Sequence, residues 1–175
     1  CIKYACPKCK DSVVIGPLPE KVIDKGLAGP GLLAQIVASK YGDHLPLYRQ
    51  EDILARHGVQ IPRSTQCQWV AQVADLLSPV YDAMGAVGRK SKRIHTDDTT
   101  VQLQEKGSGK TRTARFWTYV GDEAHPQTVY TFTLSRNRDG PREFLKGYSG
   151  YLQADAYGGY DGLYVSGAIR EVAEC

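Results

Sequence analysis

Two adjacent aspartates stand where a strand ordinarily excludes them. The run Ile94-His95-Thr96-Asp97-Asp98-Thr99-Thr100-Val101-Gln102-Leu103 is rich in β-branched residues around its acids. Asp is depleted in strands because its carboxylate solvates poorly there and competes for backbone hydrogen bonds. A second short segment, Tyr151 to Ala154, ends on Asp155 and is followed by Gly158-Gly159. Two strands that each present one carboxylate near a sheet end are the minimal scaffold for a hard divalent cation, which takes oxygen ligands. Asp97 and Asp155 are therefore the candidate catalytic and metal-binding residues of a metal-dependent phosphoryl-transfer centre. The competing reading is that both acids only cap strand ends at the surface.

A second metal chemistry is written at Cys6-Pro7-Lys8-Cys9. This CxxC spacing supplies two of the four thiolates of a structural zinc, so Cys6 and Cys9 form a zinc half-site. Neither Cys1 nor a nearby His has the spacing to complete it, and the missing pair is expected upstream of Cys1. A redox CxxC is the alternative, but Asp11 to Lys21 reads as extended and Pro-rich, without the helix that follows such a motif.

The elements that must position the acids begin after Gly88. Lys92–Gln104 is predicted as a strand, with a turn at Glu105-Lys106-Gly107-Ser108-Gly109-Lys110. Arg112–Gly121 and Thr128–Leu134 follow as two more strands. A short helix over Arg142–Lys146 then leads to a fourth strand, Gly150–Ala156. Three strands joined by tight turns form an antiparallel meander, and a helical crossover returns the chain parallel to an earlier strand. If the fourth strand docks beside the first, Asp97 and Asp155 become neighbours. That geometry suits a two-metal centre with ions roughly 3.5 to 4 Å apart.

Upstream, the periodicity is helical. Pro30–Tyr41 carries Leu32, Leu33, Ile36 and Val37 at helical spacing and stops at Gly42, and Pro46–Arg56 ends at His57-Gly58. A third helix begins after Pro62-Arg63-Ser64-Thr65, with Ser64 or Thr65 as its N-cap, turns Trp69, Val70, Val73, Leu76 and Leu77 inward, and bends or ends at Pro79, with Val80–Val87 as a further short helix. Leu45–Arg56 and Ser64–Leu77, joined through Gly58 and Ile61, are similar to a helix-turn-helix. As a DNA reader it would aim Arg63, Ser64, Gln66 and Gln68 at the groove. An ordinary helical hairpin packed on the core is the equal alternative.

The net charge of +3 and pI near 8.6 permit a nucleic-acid partner without arguing for one. The local clusters say more: Arg89, Lys90, Lys92 and Arg93 precede the first acidic strand, while Lys106, Lys110, Arg112 and Arg115 flank the turn after it. These are candidate phosphate contacts, set against the plainer reading of a solvated charged face. Five irregularly spaced cysteines favour a reducing cytoplasm over a disulfide framework. No apolar run approaches the roughly 20 residues of a membrane span. The opening on Cys1-Ile2, without Met, and the ending in Glu171-Val172-Ala173-Glu174-Cys175 are expected of a fragment.

Together, His95-Thr96-Asp97-Asp98-Thr99-Thr100-Val101, Phe116-Trp117-Thr118-Tyr119-Val120 and Tyr151-Leu152-Gln153-Ala154-Asp155-Ala156-Tyr157-Gly158-Gly159-Tyr160 resemble the core of insertion sequence 66 family transposases. Lys3-Tyr4-Ala5-Cys6-Pro7-Lys8-Cys9 and Leu45 to Gly58 are similar to that family's zinc-binding segment and helical region, collinear over essentially the whole chain. The resemblance implies an α/β ribonuclease-H-like fold with an Asp-Asp-Glu triad. Asp97 would be the first acid and Asp155 the second, with Asp98 as a neighbour in place of the family's frequent Glu. The third acid is expected on a helix beyond Cys175. The implied organisation is a zinc-segment remnant over 1–24, a helical region over 25–90 and the start of the catalytic core over 91–175. The implied cofactors are two magnesium or manganese ions. The implied partners are transposon terminal inverted repeats, target DNA and further copies of the chain, and the implied compartment is the bacterial cytoplasm at the nucleoid. Two rival functions stay open: a non-catalytic DNA-binding relic or regulator, and a ribonuclease-H-type nuclease.

Overall fold

The computed structural model describes residues 3–9, 13–16, 21–23, 26–105, 107, 109–137, 139–155 and 157–172. The chain divides into two compact units, Cys1–Leu76 and Leu77–Cys175.

In the first unit, β1 (Lys3–Ala5) and β2 (Val13–Ile15) pair antiparallel, with Lys3 opposite Ile15. Cys6 and Cys9 lie in the connection after β1, so the segment that reads as merely extended holds a small hairpin. Helix α1 (Pro30–Tyr41) starts with Pro in its first turn, where the missing N–H costs nothing, and the Gly42 N–H returns to the Ala38 carbonyl. Leu33 packs with Ile23 and Ala28, against Trp69 and Val73. Helix α2 (Leu47–Arg56) is tied to α1 by buried Gln50, whose Nε2 donates to the Ile36 carbonyl at 3.2 Å and to Leu45 at 3.0 Å.

Helix α3 runs unbroken from Arg63 to Gly88 with Pro79 inside it. Ser64 and Thr65, expected to cap the helix, lie inside it, since it starts at Arg63, and the expected break at Pro79 does not occur. Proline removes one hydrogen bond, but contacts beyond it hold the helix: the Tyr81 hydroxyl donates to the Tyr130 carbonyl at 2.9 Å. Leu76 and Leu77, expected to turn inward, are about half exposed. Residues 77–88 of α3 belong with the sheet of the second unit.

That unit is built on a mixed sheet, with order β5-β4-β3-β6-β7 among the described residues. Its strands are β3 (Arg93–Gln104), β4 (Thr111–Val120), β5 (Thr128–Thr133), β6 (Gly150–Gln153) and β7 (Ile169–Glu171). Strands β3, β4 and β5 form the expected meander; α4 (Asp139–Phe144) carries the crossover, and β6 returns parallel to β3. Helix α5 (Asp161–Tyr164) and β7, parallel to β6, extend the sheet past the last expected strand. The architecture is α/β and ribonuclease-H-like.

Alternation along the strands sorts the two sheet faces. One face, with Ile94, Trp117, Tyr119 and Leu152, packs against Leu145, Tyr148 and Tyr160. Tyr119 stacks on Phe144 of α4 at 3.9 Å between ring centroids, and the buried Trp117 ring donates from Nε1 to Thr133 Oγ1 at 2.8 Å. The other face carries the Phe116–Phe132 edge pair and exposed Tyr130. Gly150 opens β6 because a Cβ there would stand 2.5 Å from the Tyr148 hydroxyl and 2.7 Å from the Lys92 carbonyl.

Candidate metal centre

The parallel register pairs Arg93 with Tyr151, Ile94 with Leu152 and His95 with Gln153. Two residues further along each chain come Asp97, still inside β3, and Asp155, just past β6. Ligand oxygens of Asp97, Asp98 and Asp155 all lie within 4.8 Å of one another. Asp97 and Asp155 are exposed and line a cleft of about 310 Å³ with His95, Thr96, Thr118 and Gln153. Asp97 Oδ1 also accepts the Asp98 N–H at 2.7 Å, which orients that carboxylate.

Asp98 lives differently. It pairs across the ladder with Trp117, so alternation turns it to the core face. Its side chain is 1% exposed, and both oxygens are engaged by guanidinium groups. Arg115, two residues before Trp117 on the same face, donates from Nη1 to Oδ2. Arg136 donates to Oδ1 from Nε at 3.1 Å and from Nη2 at 2.8 Å. The same Nη2 lies 3.3 Å from Asp155 Oδ2. Hydrogen bonding to Asp98 pushes the Arg136 pKa above its already high ordinary value, so the guanidinium stays charged.

Arg136 is further fixed by Tyr157. Its guanidinium carbon sits 3.8 Å from the Tyr157 ring centroid, and the Tyr157 hydroxyl donates to the Arg136 carbonyl. Gly159 makes room for that ring: a Cβ there would come within 2.1 Å of it. Behind the site, buried Tyr160 lies 3.4 Å from Thr96 Oγ1, and burial pushes its hydroxyl pKa up to about 12. Tyr160 is therefore a neutral wall.

The donor set fits a hard divalent ion. Three carboxylates converge, the guanidiniums of Arg115 and Arg136 answer them among the described residues, and the two exposed carboxylates open on a cleft with space for water. Asp97 and Asp155 have oxygens to give, whereas those of Asp98 are engaged. The cysteine pair is less complete: Cys6 is half-buried and Cys9 exposed, and among the described residues they join no third His, Cys, Asp or Glu at ligand spacing. Cys1 and Cys175 lie outside the described residues, and Cys67 is exposed on α3.

The expected DNA contacts differ in their surroundings. Arg63 and Ser64 are exposed in the first turn of α3, and Lys90, Lys92, Arg93, Lys110 and Arg112 are exposed in the second unit. Lys106 lies outside the described residues. Two expectations are corrected. Gln66 is fully buried, with its Nε2 on the Ile61 carbonyl at 3.0 Å, because the sharp entry into α3 needs that donor; it holds the turn and faces no groove. Arg115 is spent on Asp98. Arg89 is half-buried, its guanidinium carbon 5.3 Å from the Phe144 ring centroid.

Sequence pattern does not reach Arg136 or Tyr157. Arg136 follows β5 in a turn with no local signal of partnership, and only the fold brings it to Asp98, 38 residues away. The Gly158-Gly159 pair beside Tyr157 is the one visible hint that a bulky ring lies close to backbone there.

Residues 25–175 match the family described as Transposase IS66 family. Among curated proteins, the chain is 35% identical over 167 residues to the uncharacterized protein y4jD of Sinorhizobium fredii (strain NBRC 101917 / NGR234), covering 92% of this chain and 33% of that protein. It is 38% identical to y4qI of the same strain, over 92% of this chain and 31% of the relative, and 34% identical to y4hP, over 94% and 30%. The chain thus spans about a third of the length of these relatives. With a family match across the helices, the mixed sheet and both cleft acids, the chain belongs to the IS66 family of transposases.

Proposed function

We propose that this chain contributes the first two acids of a DNA-cleaving and strand-transferring centre, with Asp97 and Asp155 holding magnesium or manganese. The observation that carries the reading is the convergence of these carboxylates, within 4.8 Å, from a β3 strand and a parallel β6 whose register sets them level. When bound, the ions supply Lewis acidity and a water of lowered pKa for in-line attack on a phosphodiester. Asp97 and Asp155 fix where that charge sits. Asp98, held by Arg115 and Arg136, stiffens β3 beside Asp97 and serves as a neighbour, not a ligand. Exposed Lys90, Lys92, Arg93, Lys110 and Arg112 hold DNA phosphates without reading sequence, and Arg63 and Ser64 offer contacts from α3. Cleavage at a transposon end frees a 3′-hydroxyl, which attacks target DNA in a second displacement, so no covalent protein intermediate is required.

The metal-capable cluster among the described residues contains three aspartates and no glutamate. A two-ion displacement needs both ions preorganised, and the third acid implied for this family supplies the missing clamp. Residues 1–175 alone are therefore expected to bind DNA and to cut it slowly or not at all. The test incubates this chain, a longer chain carrying the Glu-bearing helix, and the longer Asp97→Asn variant with transposon-end DNA and magnesium or manganese. Metal-dependent nicking by the longer chain alone supports the reading. Equal nicking by the Asn variant overturns it. A salt-sensitive DNA shift without nicking by any of the three supports a DNA-binding relic, and preferential cutting of RNA–DNA hybrids supports a ribonuclease-H-type nuclease.

A further inference from the structure

One cation already sits on the acid centre. Arg136 makes two bonds to Asp98 Oδ1, at 3.1 and 2.8 Å, and one longer bond to Asp155 Oδ2, at 3.3 Å. Its side chain and that of Asp155 are 36% and 49% exposed, whereas Asp98 is sealed at 1%. The anchor on Asp98 is thus buried and forked, and the reach to Asp155 is single and open to solvent. Stacking on Tyr157 and the Tyr157 hydroxyl bond to the Arg136 backbone also hold the guanidinium.

We propose that Arg136 is the resident cation of this centre: a positioning residue that holds Asp155 in the ion-free protein and yields that carboxylate, while staying on Asp98, to a divalent ion. The proposal rests on the reading of Asp97 and Asp155 as the ion's ligands and adds what sets their affinity. A guanidinium and a doubly charged ion on one carboxylate repel each other, so the Arg136–Asp155 bond and ion occupancy exclude one another. The bond to Asp155 is the longest and the most solvated of the three, so it is the one that breaks. The Asp98 fork and the Tyr157 ring keep Arg136 from leaving. Ion affinity is then lower than the carboxylates alone would give, by a coupling that belongs to Arg136.

The test measures Mn²⁺ affinity by the electron paramagnetic resonance signal of unbound Mn²⁺, without DNA. The proteins are the wild-type chain, Arg136→Met, Arg136→Gln and Arg136→Lys, each also made with Asp97→Asn. Met and Gln remove the charge and are expected to tighten Mn²⁺ binding roughly tenfold, within the usual range of coupling between sites. Lys keeps the charge and is expected to stay within about twofold of wild type on the same grounds. Asp97→Asn should abolish the site in every background. A second measurement uses the wild type alone: titration with Mg²⁺ should shift the Arg136 Nε–H nuclear magnetic resonance signal, assigned by its loss in Arg136→Lys. If the neutral variants bind no more tightly while Asp97→Asn still abolishes binding, the role of Arg136 is wrong and the metal centre stands. An Nε–H signal that does not move while Mg²⁺ binds likewise overturns the role of Arg136 alone. If Asp97→Asn changes nothing in any background, the metal centre itself is wrong and the proposal falls with it.

Discussion

Asp155 follows β6 at the position that the parallel β3–β6 register sets level with Asp97. One carboxylate comes from within a strand and the other from just past a strand end, and both are exposed at the cleft. Asp97→Asn is therefore expected to abolish Mn²⁺ binding and Asp155→Asn to weaken it by at least an order of magnitude, since each removes a charged oxygen from the proposed site. Neither should change folding stability by more than about 0.5 kcal/mol, as is usual for exposed positions. Calorimetric Mn²⁺ titration and urea unfolding together check this; a large loss of stability with unchanged ion binding would make the acids structural.

Asp98 should show the opposite pattern. Removing a buried carboxylate that satisfies two guanidiniums typically costs about 3 to 5 kcal/mol. Both arginines are partly exposed and recover water, so the expected loss for Asp98→Ala is smaller, roughly 2 to 3 kcal/mol. Urea denaturation followed by Trp117 fluorescence in a Trp69→Phe background reads it, and a loss under about 1 kcal/mol would mean that the pairs contribute little.

Gly159→Ala tests the support behind Arg136. The new methyl would overlap the Tyr157 ring, and overpacking of this kind costs about 1 to 3 kcal/mol. The ring must move off the Arg136 guanidinium, so the Arg136 Nε–H signal should shift as well. A variant with native stability and an unmoved signal would show that the Tyr157 side chain relaxes freely.

Asp122 anchors the start of the β4–β5 turn to the entry of β3. Its Oδ2 accepts the Lys92 N–H at 2.7 Å, and its Oδ1 accepts the His125 N–H at 3.0 Å. These bonds, the one from Lys92 first, lower its pKa below the ordinary carboxylate value. A carboxyl depressed in the folded state adds stability above its unfolded pKa and loses it as pH falls through its folded pKa. Asp122→Asn should lower the thermal midpoint at neutral pH, and the gap to wild type should close in the acid range below the ordinary carboxylate pKa. A gap independent of pH would point to lost packing instead of lost charge.

The basic residues should separate by partner. Lys90→Gln, Lys92→Gln and Arg93→Gln are each expected to reduce the salt dependence of DNA binding by about one unit of log–log slope, as loss of one phosphate contact does. Arg115→Gln should instead lower stability, because its guanidinium is committed to Asp98. Equal slopes in all four variants would remove the phosphate assignment.

Local pattern alone determines much of this protein. The β-branched runs, the turn residues after Gln104 and Val120, and the Pro- and Gly-bounded helical periods mark the meander, the crossover and α1 to α3, because each depends on interactions within a few residues. The acids at 97 and 155 stand out for the same reason, Asp97 inside a β-branched run and Asp155 at the end of a short apolar one. The long-range pairing decided the rest. Pro79 breaks no helix because residues after it pack in the sheet unit, and Gln66 is buried because the turn before α3 needs a donor. Asp97 and Asp98, adjacent in sequence, part company because a strand sends successive side chains to opposite faces. That alternation turns one to the open cleft and the other to two arginines. Arg136 joins them only through tertiary structure, since a guanidinium's partner 38 residues away leaves no mark on the sequence around it.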